Sequence, residues 1–115
     1  MIENSHVCDP VFSQVDELLR LLTKSKLLHI LYILHQKKRN MRFTELKQGT
    51  DTSSTTLTRR LNELLSNGLI HRNQEKEEQG SISYGLTDDG RALAPSIQSM
   101  YDWIVEREIT FHSTL

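Results

Sequence analysis

Residues 54–70 read STTLTRRLNELLSNGLI, and the first half of that stretch collects side chains that recognise other molecules by directed hydrogen bonds. Arginine bridges O6 and N7 of guanine through two parallel donors, and Ser and Thr donate, accept or touch the thymine methyl. The same hydroxyls compete for backbone hydrogen bonds, which makes Ser54, Thr55, Thr56 and Thr58 mediocre helix residues. At ~100° per residue, Leu57, Leu61, Leu64 and Leu65 fall on one side and Thr55, Thr56, Arg59, Asn62 and Glu63 on the other. Thr58 and Arg60 lie on the flanks. The spacing predicts a helix over 54–66 whose leucines face a core and whose N-terminal half offers base-reading groups. On this placement Arg59 reads bases, while Arg60, Arg42 and Lys47 contact phosphates. Unpaired N–H groups at the helix start suit a phosphate as well. The bland alternative is a solvated helix in which Arg59 pairs with Glu63 at i+4.

Charge is unevenly spread around this helix. Residues 36–60 hold seven Lys/Arg (Lys37, Lys38, Arg39, Arg42, Lys47, Arg59, Arg60) against two acids (Glu45, Asp51), a local surplus of five in a chain of formal net charge −1. Such a segment is an electrostatic footprint for a polyanion, or else a solvated basic turn. With 115 residues, 37 % hydrophobic and 25 % charged, the chain suits one ordinary globular domain. A domain of that size buries roughly 65 % of its unfolded surface, so a second subunit can add to its core. The longest apolar run, LLHILYIL at 27–34, is far short of the ~20 residues that cross a bilayer, and no membrane partner is expected. MIENSHVCDP lacks the basic and apolar regions of a secretory leader, and the single cysteine, Cys8, cannot close an internal disulfide. Both favour a reducing, cytoplasmic setting.

The elements that must position the 54–66 helix follow from caps and periods. Asp9-Pro10 predicts the N-cap and first residue of a helix with Val15, Leu18, Leu19 and Leu22 on one face. A second helix is expected from Ser25 through KLLHILYILHQKK, apolar nearly all round and therefore central. Arg42-Phe43 is a candidate short strand, Thr44 caps a brief ELKQ helix stopped at Gly49, and residues 50–53 form a polar turn. After Asn67, Gly68 takes the left-handed position and Leu69 folds back on the helix end. The period then changes to two: LIHRN and SISYGL form a hairpin with an acidic tip, Ile82, Tyr84 and Leu86 alternating with Ser83 and Gly85. A last long helix begins near Thr87 and carries Leu93, Ile97, Met100, Tyr101, Ile104 and Val105, with Pro95 expected to bend its early turns.

The expected fold is therefore mainly α with a small β-hairpin, a winged helix-turn-helix in a single domain over 1–115. Its core spans about residues 25–87, with extra N- and C-terminal helices at about 10–23 and 88–112 for dimerisation. Tyr101, Trp103, Ile104 and Phe111 are many for a solvent-covered surface. They can simply cap the intrachain core; the favoured expectation is that they join the first and last helices of two copies, because a palindromic site needs a two-fold protein with recognition helices one DNA turn, ~34 Å, apart.

Three segments, MRFTELKQG, LTRRLNELLSNGLIHR and SYGLTDDGRALAPSI followed by a tryptophan, together resemble the HxlR family of bacterial and archaeal transcription regulators, winged-helix proteins related to the MarR group. Arg42, Phe43, Glu45 and Leu46 match the family's first element. Leu57, Thr58, Arg60, Leu61, Leu64, Gly68, Leu69 and Arg72 match its second. Tyr84, Leu86, Thr87, Gly90, Leu93, Pro95 and Trp103 match its third, so that the likeness spans about residues 25–105. The resemblance implies a homodimer on double-stranded DNA at a near-palindromic operator. This chain differs in having Leu27 where the family has a tryptophan, and in a proline-free, acidic wing. Phosphate repels such a tip, which leaves Lys76 or the wing base near Arg72 for contact.

Many relatives carry a cysteine just before the first helix, some as a thiol redox sensor, and Cys8 holds a similar place. The helix N-terminus favours its thiolate and Asp9 opposes it. One cysteine per chain would need an intersubunit disulfide or a mixed disulfide with a small thiol to act reversibly; an inert thiol is the alternative. No Ser/His/Asp set, phosphate-binding glycine loop or spaced carboxylate pair stands out, so neither an enzyme nor a cofactor is expected. His6 lies beside Cys8, but His29, His35, His71 and His112 form no ligand cluster, and no metal is expected. The expected function is a DNA-binding transcription regulator, thiol- or ligand-responsive through an unknown effector. The competing class is a winged-helix protein-interaction module, which the acidic tip and negative net charge favour.

Overall fold

The computed structural model describes residues 9–75 and 81–112. Helix α1 (Pro10–Leu22) starts as its first residues require: the Asp9 carboxylate accepts from the Val11 N–H at 2.9 Å, and Pro10 takes a first-turn position that needs no N–H. Its apolar face is largely uncovered. Leu21 is buried, whereas Val11, Phe12, Val15 and Leu19 are exposed. Helix α2 (Leu27–Lys37) begins two residues after the expected Ser25, because Lys26 adopts a left-handed conformation (φ 70°) that breaks the chain from the preceding turn. Leu27, Ile30, Leu31 and Leu34 are buried along it, and α2 is the central helix.

Strand β1 (Met41–Arg42) lies one residue earlier than expected. Helix α3 (Phe43–Thr50) exceeds the brief ELKQ helix at both ends. Its start is set by Glu45 instead of Thr44: the carboxylate accepts from the Arg42 N–H at 3.0 Å and from Arg39 Nη2 at 2.8 Å. Gly49 does not stop it. A glycine costs a helix ~1 kcal/mol, and here the flanking Leu46 and Thr50 are fully buried, the Thr50 hydroxyl donating to the Leu46 carbonyl at 2.7 Å. The exit is instead left-handed at Asp51 (φ 49°).

Helix α4 (Ser54–Ser66) has the expected bounds. It closes in a double hydrogen bond, Leu69 N–H to Leu64 O and Gly68 N–H to Leu65 O, both 3.1 Å, with Gly68 at φ 71° where a side chain would be strained. Strands β2 (Ile70–Glu75) and β3 (Ser81–Leu86) pair antiparallel from Ile70↔Leu86 to Glu75↔Ser81. β1 adds to the other edge of β3 through Met41↔Tyr84, so the hairpin is part of a three-stranded sheet of order β1-β3-β2.

Helix α5 (Asp88–Arg107) runs on through Pro95. Its start is knotted to the end of α4: the Thr87 hydroxyl accepts from the Gly90 N–H at 3.1 Å and donates to the Gly68 carbonyl at 2.6 Å, while the Thr87 N–H reaches the Leu69 carbonyl at 3.1 Å. Any Cβ at Gly90 would overlap that Leu69 carbonyl oxygen. The core is one cluster, in which the leucines of α2 and α4 meet Met41, Leu46, Ile70, Leu86, Ala94 and Ile97.

The Arg39 hydrogen bond, helped by the Arg42 N–H, lowers the Glu45 carboxyl from its ordinary 4.5 to about 2. A depressed carboxyl stabilises the fold above its unfolded value and ceases to as pH falls toward its folded value. Glu45→Gln is therefore expected to lower the melting temperature at pH 7 by only a few degrees, solvent screening weakening a half-exposed pair. Between pH 4.5 and about 2 its melting curve is expected to fall less steeply than that of the unmodified protein. Parallel acid profiles in circular dichroism melts would refute this role.

Candidate nucleic-acid interface

Leu57, Leu61 and Leu64 seat α4 on the core and are all buried, each side chain contributing ~2 kcal/mol. That seating turns Ser54, Thr55, Thr58, Arg59 and Asn62 outward, where they are exposed. The Ser53 hydroxyl accepts from the Thr56 N–H at 3.1 Å. This cap went unread in the sequence, although a serine before an apolar-periodic run is its ordinary signal. Ser54 and Thr55 remain at the open positive end of the helix, beside their own hydroxyls.

The adjacent arginines have different surroundings. No hydrogen bond or ion pair ties the exposed Arg59 to another described residue. Arg60 is 12 % exposed at its side chain and held within the chain: its Nε donates to the Ser25 carbonyl at 2.8 Å and its Nη1 to Glu63 at 2.7 Å. Glu63 also lies 3.4 Å from Lys24 Nζ. Burial works to raise the Glu63 carboxyl, but the Arg60 hydrogen bond and the charges of Arg60 and Lys24 outweigh it and hold the group below its ordinary value. Glu63 is thus the partner of Arg60 and Lys24, not of Arg59. Through Lys24 it faces the α1–α2 turn, and both it and Thr56 are half-buried, away from the fully outward face assigned to them by the helical wheel.

Arg42 on β1 and Lys47 on α3 are exposed, as is Arg72 on β2. α3 and α4 are joined by the short turn at 51–53, so the exposed Lys47 of α3 and the hydroxyls of α4 belong to one helix-turn-helix unit. Such a unit presents phosphate-binding cations beside a helix whose N-terminal half carries donors and acceptors suited to base edges. Lys76 and Cys8 lie outside the described residues.

Residues 21–110 match the HxlR-like helix-turn-helix family. The chain is 38 % identical over 77 residues to YdzF of Bacillus subtilis (strain 168), an uncharacterized HTH-type transcriptional regulator, covering 66 % of this chain and 70 % of that one. In three dimensions it is similar to a transcriptional regulator of the MarR family from Enterococcus faecalis V583, with a TM-score of 0.74 and 27 % identity over 92 % of this chain and 94 % of that one. It is also similar to the reduced form of the transcriptional regulator YodB from B. subtilis, with a TM-score of 0.70 and 27 % identity over 87 % and 94 % of the two chains.

Removing Arg60 would leave Glu63 with Lys24 alone at 3.4 Å and free the Ser25 carbonyl, at a cost of ~2 kcal/mol. Arg60→Ala is expected to lower stability by about that amount in urea denaturation, and Arg59→Ala by less than ~0.5 kcal/mol. Equal losses for the two would contradict the difference in their surroundings.

Proposed function

The chain belongs to the HxlR-like helix-turn-helix family, and from that premise we propose that it acts as a homodimer laying α4 of each protomer into successive major grooves of a near-palindromic operator. It is a DNA-binding transcription regulator and not an enzyme. The observation that carries the proposed mode of binding is the outward row Ser54, Thr55, Thr58 and Arg59 on a helix whose opposite face is locked in the core. In this mode Arg59 reads a guanine edge, the hydroxyls contact bases or phosphate near the helix start, and Arg42 and Lys47 neutralise phosphates. Thr56 contributes from the flank and Lys76 from the wing. Arg60 has its Nε and Nη1 engaged within the chain, which leaves it a smaller share of the proposed phosphate contacts than Arg42 and Lys47.

Dimerisation is supported by the apolar surface that one chain leaves open. Val11, Phe12, Val15 and Leu19 on α1 are exposed, as are Trp103 and Phe111, whose rings stack at 6.1 Å. The radius of gyration, 16.7 Å, exceeds the ~13 Å of a compact domain this long, because helices project from the core. Tyr101, itself half-exposed, also stacks on Tyr32 of α2 at 4.9 Å. Among the described residues no helix is long and apolar enough to cross a membrane, and the proposed site of action is the cytoplasm.

In mobility-shift titrations with the DNA upstream of its own gene, Arg59→Ala is expected to cost ~1–3 kcal/mol on the operator and much less on random DNA, relaxing specificity. Lys47→Ala is expected to weaken both alike and to reduce the salt slope by ~1. Equal loss on both DNAs for Arg59→Ala would overturn the readout. Leu19→Glu is expected to yield monomers in sedimentation velocity; an unchanged dimer would remove α1 from the interface.

A further inference from the structure

The outward face of α4 does not end with the groups assigned above. Thr55, Arg59 and Asn62 stand at i, i+4 and i+7, which at ~100° per residue makes one row along the helix, and all three are exposed. Asn62 is the member of that row with no task yet. Its carboxamide makes no hydrogen bond to any described residue, although Thr58 and Ser66 lie within helical reach at i−4 and i+4. Asn67 shows what the same side chain does when the fold employs it: its Nδ2 donates to the Glu63 carbonyl at 2.8 Å at the end of α4. Asparagine is also a weaker helix former than Ala, Gln or Lys, so helix stability does not account for it at an exposed mid-helix position.

A carboxamide offers an N–H donor and a C=O acceptor side by side. In the major groove adenine presents the matching pair, its N6 amino donor beside its N7 acceptor, whereas guanine shows two acceptors and cytosine a donor alone. The side chain is short, so it reaches a base only where the helix backbone comes close. Its neighbours on the face, Thr58 and Ser66, are small and permit that approach. The acid next to it, Glu63, is held by Arg60 at 2.7 Å and by Lys24 at 3.4 Å, so its charge is matched.

We propose that Asn62 is a second base-reading residue, taking the N6 and N7 edge of an adenine in each half-site while Arg59 takes a guanine. Three residues of α-helix advance ~4.5 Å against ~3.4 Å per base pair, which puts the adenine one or two base pairs from the guanine for a helix lying along the groove. The proposal rests on the regulator reading above and adds to it a base identity and a spacing.

The test is selection of binding sites from a randomised duplex pool by the full-length protein, Asn62→Ala and Arg59→Ala, followed by mobility-shift titrations on the selected site. The unmodified protein is expected to enrich half-sites that hold a guanine and, one or two base pairs away, an adenine. Asn62→Ala is expected to keep the guanine and lose preference at the adenine, and Arg59→Ala to do the reverse. Replacing that adenine by 7-deazaadenine, which lacks the N7 acceptor, is expected to weaken binding of the unmodified protein ~10-fold and to leave Asn62→Ala unchanged. Asn62→Ala is expected to melt no lower than the unmodified protein, since alanine is the better helix former; a lower melting temperature would give the side chain a structural task and overturn the proposal. An adenine preference that survives Asn62→Ala, or 7-deazaadenine weakening both proteins alike or neither, would also overturn it. So would an affinity loss for Asn62→Ala that is equal on selected and random DNA, which marks a backbone contact. If Arg59→Ala alone loses its base, the guanine readout stands and Asn62 falls. If the unmodified protein enriches no sequence at all, the reading on which the proposal rests falls with it.

Discussion

Burial of Leu57, Leu61 and Leu64 decides how α4 is turned, and the rest of the molecule is arranged around that decision. Three buried leucines amount to ~6 kcal/mol, comparable with the whole net stability of a small domain. A slip of one residue about the helix axis would replace Leu57 by Thr58 or Leu61 by Arg60, placing a hydroxyl or a charge against the fully apolar core. The outward face is therefore not selected by the arginine and hydroxyls themselves; it is what remains once the leucines are satisfied. Ser53 at one end and Gly68 at the other then fix where the helix begins and stops.

Orientation about the axis is not position, and position is held by hydrogen bonds from side chains to backbone at the joints. Thr87 ties the exit of α4 to the start of α5 through the carbonyls of Gly68 and Leu69. Glu45 ties the start of α3 to β1 and Arg39. Arg60 ties the middle of α4 to the α1–α2 turn. These joints account for several residues whose spacing carries the family likeness. Gly68, Leu69, Thr87 and Gly90 meet in one knot where a hydroxyl, two carbonyls and a Cβ-free backbone must approach closely. What these four residues satisfy is a local steric and hydrogen-bonding requirement, independent of what the helix reads.

How much of this was legible in the sequence depends on the range of the deciding interaction. The bounds of α4 were readable because a clean 3.6 period and an Asn-Gly stop are both local, even with the Ser53 cap unread. The extent of α3 was not, because Gly49 is overridden by the burial of its neighbours Leu46 and Thr50 and the start is set by the Arg39–Glu45 contact. The pairing of Met41 with Tyr84 joins strands far apart in the chain, and two residues carry too little pattern to announce it. The roles of Arg59 and Arg60 diverge for the same reason. Both have Glu63 within helical reach, and the choice between them is made by the Ser25 carbonyl, 35 residues away, which a helical wheel cannot see.

The long C-terminal helix shows how one element can serve two surfaces. Residues two apart on a helix differ by ~200° in direction, so Tyr101 and Trp103 point to nearly opposite sides of α5. Tyr101 stacks against Tyr32 and packs α5 on α2, while Trp103 stacks with Phe111 on the other side. The apolar surface of α5 is therefore not a single patch with a single use. In a dimer built on the Trp103 side, the Tyr32–Tyr101 contact bears on the same rigid helix that sets the separation of the two recognition helices. For the proposed dimer, whose operator half-sites accept it only when that separation matches the DNA turn, a tilt of α5 would change affinity without altering any residue proposed to touch a base.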